Sequence, residues 1–229
     1  MKTNLLVEVA WEVCNQVGGI YTVIRSKAPC IKEQWGDNYC LIGPYVHKNV
    51  AAEFEPATDY DDPFGQAVLK MRENGFEVYY GKWMVTGTPR VVLLNPFSVY
   101  HSLDKIKYLL WEHHNISSPA GDGLLDQVVA FGYLAKNFFY ELSLLDPKRE
   151  ILGHFHEWMA GTPIPEMRRD RLANVKIIFT THATLLGRYL AMNNGTFYDH
   201  LPFMDWSKEA KHFNIEAQVN IERAATHGA

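Results

Sequence analysis

His182 and Arg188 are the side chains in this sequence best placed to hold an anionic ligand. A guanidinium grips phosphate oxygens bidentately and keeps its charge at any working pH. Both residues lie in the stretch Val175 to Arg188, whose apolar run Ile177 to Phe179 reads as a buried strand. Two threonines close that strand, and from Ala183 the sequence reads as helix, with Thr181 or Thr184 able to cap its first turn. His182 then sits at the carboxyl end of a strand, where open α/β sheets bind their ligands. Arg188 falls about a turn into the helix, where the macrodipole disfavours a cation. A bound anion would account for it. The bland alternative is a histidine satisfied by backbone and an arginine lying along its helix.

Other groups could act beside them. Gly18 and Gly19 fall between a strand and a helix, where paired glycines permit positive φ and close approach of a ligand. Amides at the following helix start can meet a phosphate, although a plain tight turn needs the same residues. His154 and His156 alternate along a strand, so both face one side of it, and His113-His114 adds two more imidazoles. That spacing could bind a metal, but no convincing cysteine, histidine or carboxylate cluster completes it in the sequence, so no metal site is expected. Glu157 and Trp158 follow His156, and Trp11 and Glu12 follow the first strand. Each could line a cleft or simply pack, and Trp158 could stack on a sugar ring. No Ser-His-Asp or Cys-His arrangement stands out.

The elements that must position these groups alternate. Strands are expected at Leu5 to Val9, Tyr39 to Ile42, Phe76 to Trp83, Pro89 to Leu94, Glu150 to Phe155 and the central Val175 stretch. Helices are expected from Ile20, at Phe64 to Asn74, Ser102 to His113 and Asp122 to Leu145, and Trp158 to Arg171 reads as a Pro-interrupted helix. Leu124, Leu125, Val128, Val129, Phe131, Leu134 and Phe138 form the apolar face of the longest. A looser segment, Asn193 to Trp206, leads into a final helix from Ser207 to His227. The acidic run from Ala51 to Pro63 reads as a solvated surface excursion. Strand and helix alternating through short loops give an α/β layered domain with a mostly parallel sheet.

Composition excludes several classes. The 229 residues carry a formal charge of −4 and no basic run, so there is no electrostatic reason to expect nucleic acid. No apolar run approaches the ~20 residues that span a bilayer, and the amino terminus lacks a signal-peptide core. Three cysteines without metal-type spacing fit a reducing, cytoplasmic setting.

The blocks His154-Phe155-His156-Glu157-Trp158 and Thr180-Thr181-His182-Ala183-Thr184-Leu185-Leu186-Gly187-Arg188 resemble the amino-terminal domain of eukaryotic-type glycogen synthases. So do Val9-Ala10-Trp11-Glu12-Val13 and Val17-Gly18-Gly19-Ile20-Tyr21-Thr22-Val23. The resemblance implies a Rossmann-like three-layer domain over residues 1–229, the N-terminal half of a GT-B glycosyltransferase, with a C-terminal nucleotide-binding domain beyond this chain. It implies retaining transfer of glucose from UDP-glucose to the non-reducing end of glycogen or another α-1,4-glucan, with no metal or other cofactor. Arg188 would pair with donor phosphate, and His182 would meet the glucosyl hydroxyls or lie beside the anomeric carbon. Gly18 and Gly19 would form the glycine loop at the donor, and His156, Glu157, Trp158, Trp11 and Glu12 the cleft. Gln16 stands where similar synthases carry lysine or arginine, so it brings hydrogen bonding without charge. Lys2, Arg25 and Lys27 are the cations near it in sequence. Homo-oligomeric assembly is a further expectation. An ADP-glucose-using or phosphorylase-like GT-B enzyme, and a non-catalytic glucan-binding module, remain as alternatives.

Overall fold

Leu5–Ala10 forms strand β1, buried along its whole length because both faces of the strand are covered. In the computed structural model, which describes residues 4–46, 50, 52–119, 121–193 and 195–229, β1 lies inside a seven-stranded sheet. Strands β2 (Tyr39–Pro44) and β6 (Ile151–His156) flank β1 in parallel. Strand β5 (Arg90–Leu94) extends the sheet beyond β2, and β7 (Val175–Thr180) beyond β6, again in parallel. Strands β4 (Val78–Trp83) and β3 (Phe54–Pro56) add antiparallel pairings at the β5 edge. The turn joining β4 to β5 holds Gly87 at φ +88°, and a Cβ there would lie 2.8 Å from Pro29 Cα, so glycine is required twice over.

Successive β1 residues point to opposite faces. Leu6 and Ala10 pack under helix α1 (Gly19–Trp35) with Ile24, Tyr39 and Leu41. Leu5, Val7 and Val9 face a larger core. That core is covered by α2 (Pro63–Glu73), α3 (Leu103–His114), α4 (Gly123–Leu145), α5 (Glu157–Gly161), α6 (Ile164–Asp170) and α10 (Glu216–Gly228). Between β7 and α10 lie α7 (Leu185–Asn193), α8 (Phe197–His200) and α9 (Trp206–His212). The result is the α/β three-layer arrangement expected of a Rossmann-like domain. Among the described residues no helix is long and apolar enough to cross a membrane.

Four expectations are corrected. The β7 stretch is neither central nor fully buried. It is the sheet edge, and Ile178 is 46% exposed because α1 covers β1 and β2 and does not reach it. The final helix is two, broken where Asn214 takes a left-handed φ of 56°. Leu124, in the first turn of α4, faces solvent. The acidic run contains structural groups: Glu53 accepts bonds from Tyr21 Oη (2.6 Å) and Trp83 Nε1 (2.9 Å), while Asp62 caps α2 and pairs with Arg90.

Candidate functional site

The chain leaves β1 toward β2 on one flank and returns as β6 on the other, which opens a crevice at the carboxyl ends of β1 and β6. The loops after β1, β6 and β7 meet there around a cleft of about 320 Å³. It is lined by Glu12, Gly18, Gly19, Ile20, Glu157, Trp158, His182, Leu185 and Arg188, among others. A volume of this order admits a small ligand.

Glu12 organises the glycine loop. Its buried carboxylate accepts the Gly18 N–H at 2.7 Å and the Tyr21 N–H at 2.9 Å. The protein's own anion thus meets part of the amino terminus of α1, and Gly19 and Ile20 line the cleft beside it. Neither glycine adopts a positive φ, contrary to expectation. Gly18 leaves little room: a Cβ would sit 3.1 Å from Glu12 Oε1, so that carboxylate would have to shift by a few tenths of an ångström, whereas one at Gly19 would meet nothing within 4 Å.

Glu157 links the other two loops. It opens α5 at φ +64°, a strained conformation for a residue other than glycine, of a kind that collects at functional sites. Its Oε1 accepts the His182 N–H at 2.7 Å and lies 3.9 Å from Arg188 Nη2. The Arg188 side chain is 53% exposed, so its charge remains available to a ligand. Thr184 caps α7 by accepting the Gly187 N–H at 3.2 Å.

A third carboxylate, Glu222 on α10, accepts the Leu185 N–H at 3.0 Å and the Thr181 Oγ1–H at 3.1 Å. Burial pushes its pKa up, against the opposing effect of those two hydrogen bonds.

Three predicted residues do not line the cleft. Trp11 is buried and packs edge-on against Phe131, at 5.5 Å between centroids, so it is a core aromatic. Gln16 is exposed ahead of the glycine loop, and its lack of charge leaves the charge of the cleft lining unchanged. His156 is buried behind the cleft, its ring nearly parallel to that of His182 at 6.1 Å. Trp158 does line the cleft but is only 8% exposed, a floor rather than an open platform. Of the cations near Gln16, Arg25 lies over the Tyr21 ring, Lys27 is bound to Glu8, and Lys2 lies outside the described residues.

Glu8 is the residue that sequence reasoning missed. It is 2% exposed, and four side chains converge on it. Tyr39 Oη donates to Oε2 at 2.6 Å, and Lys27 Nζ binds Oε1. His156 Nε2 lies 2.8 Å and His154 Nδ1 3.3 Å from Oε1. Burial alone would raise the Glu8 pKa, but hydrogen bonds from the two histidines and the charges around it hold it well below the ordinary carboxylate range. An ionised Glu8 only accepts, so His156 carries its proton on Nε2. The carboxylate that the two strand histidines lacked in the sequence is therefore Glu8. Lys27 already neutralises it. A lone acid in an otherwise apolar strand was the available signal.

A family model described as glycogen synthase matches residues 8–229. Over all of this chain it is 43% identical to glycogen [starch] synthase isoform 1 of Saccharomyces cerevisiae, covering 34% of that protein. It is 40% identical to the glycogen [starch] synthase of Neurospora crassa, over 99% of this chain and 32% of that one. The human liver glycogen [starch] synthase is 40% identical over 98% of this chain and 32% of its own length. The chain thus spans about one third of the length of the curated relatives it matches.

Proposed function

This chain belongs to the glycogen synthase family, and on that premise we propose that residues 1–229 form the N-terminal, acceptor-side domain of a two-domain GT-B glucosyltransferase. The whole enzyme transfers glucose from UDP-glucose to the non-reducing end of an α-1,4-glucan with retention of configuration, in the cytoplasm and without a metal. Its homo-oligomeric assembly belongs to the same proposal.

The observation that carries this reading is the charge of the cleft. Arg188 is the only lysine or arginine among its described lining residues, and it shares that lining with the carboxylates Glu12 and Glu157. One guanidinium beside two acids cannot neutralise a diphosphate. The remaining positive charge has to come from groups outside this lining, which suits a donor site shared with a second domain. In that site Arg188 stabilises charge developing on the leaving diphosphate, as preorganised donors do. Glu157 holds the His182 backbone so that the imidazole stands beside the glucosyl unit. Gly19 and Ile20 bring the start of α1 close to the donor. The 229-residue chain supplied with UDP-glucose and glycogen is expected to give no detectable transfer, measured as glucose incorporated into glycogen; sustained turnover by the chain alone would overturn the shared-site reading.

A further inference from the structure

The histidine pair left without a partner in the sequence acquires one in the fold. His113 and His114 end α3, and Glu166 lies in the first turn of α6. His113 Nδ1 lies 2.8 Å and His114 Nε2 2.6 Å from the same Glu166 oxygen, and each of the three side chains is 16% exposed. Adjacent residues on a helix diverge by about 100°. They reach one point here because one imidazole uses Nδ1 and the other uses Nε2. The rings stand nearly perpendicular, at 84°.

We propose that His113, His114 and Glu166 form a binding site for a zinc-class divalent cation that clasps the end of α3 to the start of α6. Two imidazole nitrogens and a carboxylate oxygen, with water from the solvent side as fourth ligand, make a donor set characteristic of zinc. Tetrahedral zinc needs ligand atoms roughly 3.3 Å apart, so the Glu166 oxygen withdraws by roughly 0.6 Å on binding. Each imidazole would bind through the nitrogen that now faces Glu166, which leaves any remaining proton on the other ring nitrogen. For His113 that nitrogen, Nε2, lies 3.7 Å from Glu112 Oε2, and Glu112 is itself held by Tyr108 Oη at 3.0 Å. A carboxylate behind a ligating histidine is the usual outer shell of such sites. The Glu8 triad differs in one decisive respect: Lys27 occupies its carboxylate as the cation. Among the described residues Glu166 is paired with the two histidines and with no lysine or arginine.

The test is titration of the chelator-treated full-length protein with Zn²⁺, read by calorimetry, and with Co²⁺, read by visible absorption. Expected are one equivalent of Zn²⁺, a tetrahedral Co²⁺ spectrum, and affinity at least about tenfold weaker in both His114→Ala and Glu166→Gln. Glu166→Gln preserves side-chain shape and hydrogen bonding, so it keeps the test valid should the alanine variant fold poorly. Mg²⁺, which prefers all-oxygen octahedral sites, is expected to give no heat in this range. Absence of a stoichiometric Zn²⁺ equivalent, or an equivalent that Glu166→Gln retains at full affinity, would overturn the site.

Discussion

Replacing Arg188 by alanine in the full-length protein is expected to lower kcat for glucose transfer about 10²–10³-fold, the usual loss when a preorganised donor to developing charge is removed. Folding stability should hardly change. The side chain is half exposed, and its internal partner, Glu157, lies at 3.9 Å, where such pairs are worth little. The helix gives a further reason. Arg188 sits in the first turn and a half of α7, where the macrodipole repels a cation. Removing it should therefore be neutral or slightly stabilising unless a ligand needs it. Arg188→Lys keeps the charge but not the bidentate fork, and is expected to recover only part of the rate. Steady-state kinetics beside a denaturant melt decide the matter: full activity in Arg188→Ala would reduce this residue to a surface ion pair.

The largest stability effect is expected at Glu8. Glu8→Ala should cost about 3–5 kcal/mol, because Lys27, Tyr39 and two imidazoles would lose the buried charge they converge on. The same network predicts how the wild-type protein responds to acid. Burial lowers the His156 pKa from the ordinary 6.5 to about 4, against the pull of Glu8. The unfolded chain therefore binds a proton at this position first as pH falls. Stability is fully present above about pH 6.5 and is lost as pH drops toward 4, by up to about 3 kcal/mol from this group alone. Glu8 acts in the same direction below its ordinary range, since its native pKa is depressed and its unfolded one is not. Urea midpoints measured from pH 8 to pH 4 should be level at first and then fall; a midpoint unchanged down to pH 4 would contradict the neutral, buried assignment of His156.

Much of this scaffold could be read from pattern. The period-two strands, the amphipathic α2 and α4, and the Pro163 break between α5 and α6 are local signals, and local signals survive folding. The position of β7 at the sheet edge was not legible. An apolar run such as Ile177 to Phe179 reports one covered face, while the reach of α1 over the other is a tertiary matter. The break at Asn214 carried only the tolerance of asparagine for a left-handed turn, inside an otherwise helical period. At the site, His182, Arg188 and the glycine loop were identifiable from their places after strands. The roles of Glu12, Glu157 and Glu222 were not, because each bonds a backbone amide contributed by another loop or element. Glu8 is the extreme case: its partners come from α1, β2 and β6, and nothing in their spacing connects them.

On the proposed reading, the cleft lined by Arg188, Glu12 and Glu157 is one wall of a donor site completed by residues outside this chain. A structure of the full-length protein with UDP-glucose bound tests that directly. Expected there are the Arg188 guanidinium within hydrogen-bonding distance of the donor diphosphate, His182 against the glucosyl unit, and the uracil held by residues outside this chain. A diphosphate bound away from Arg188, or a nucleotide enclosed wholly by residues 1–229, would contradict it.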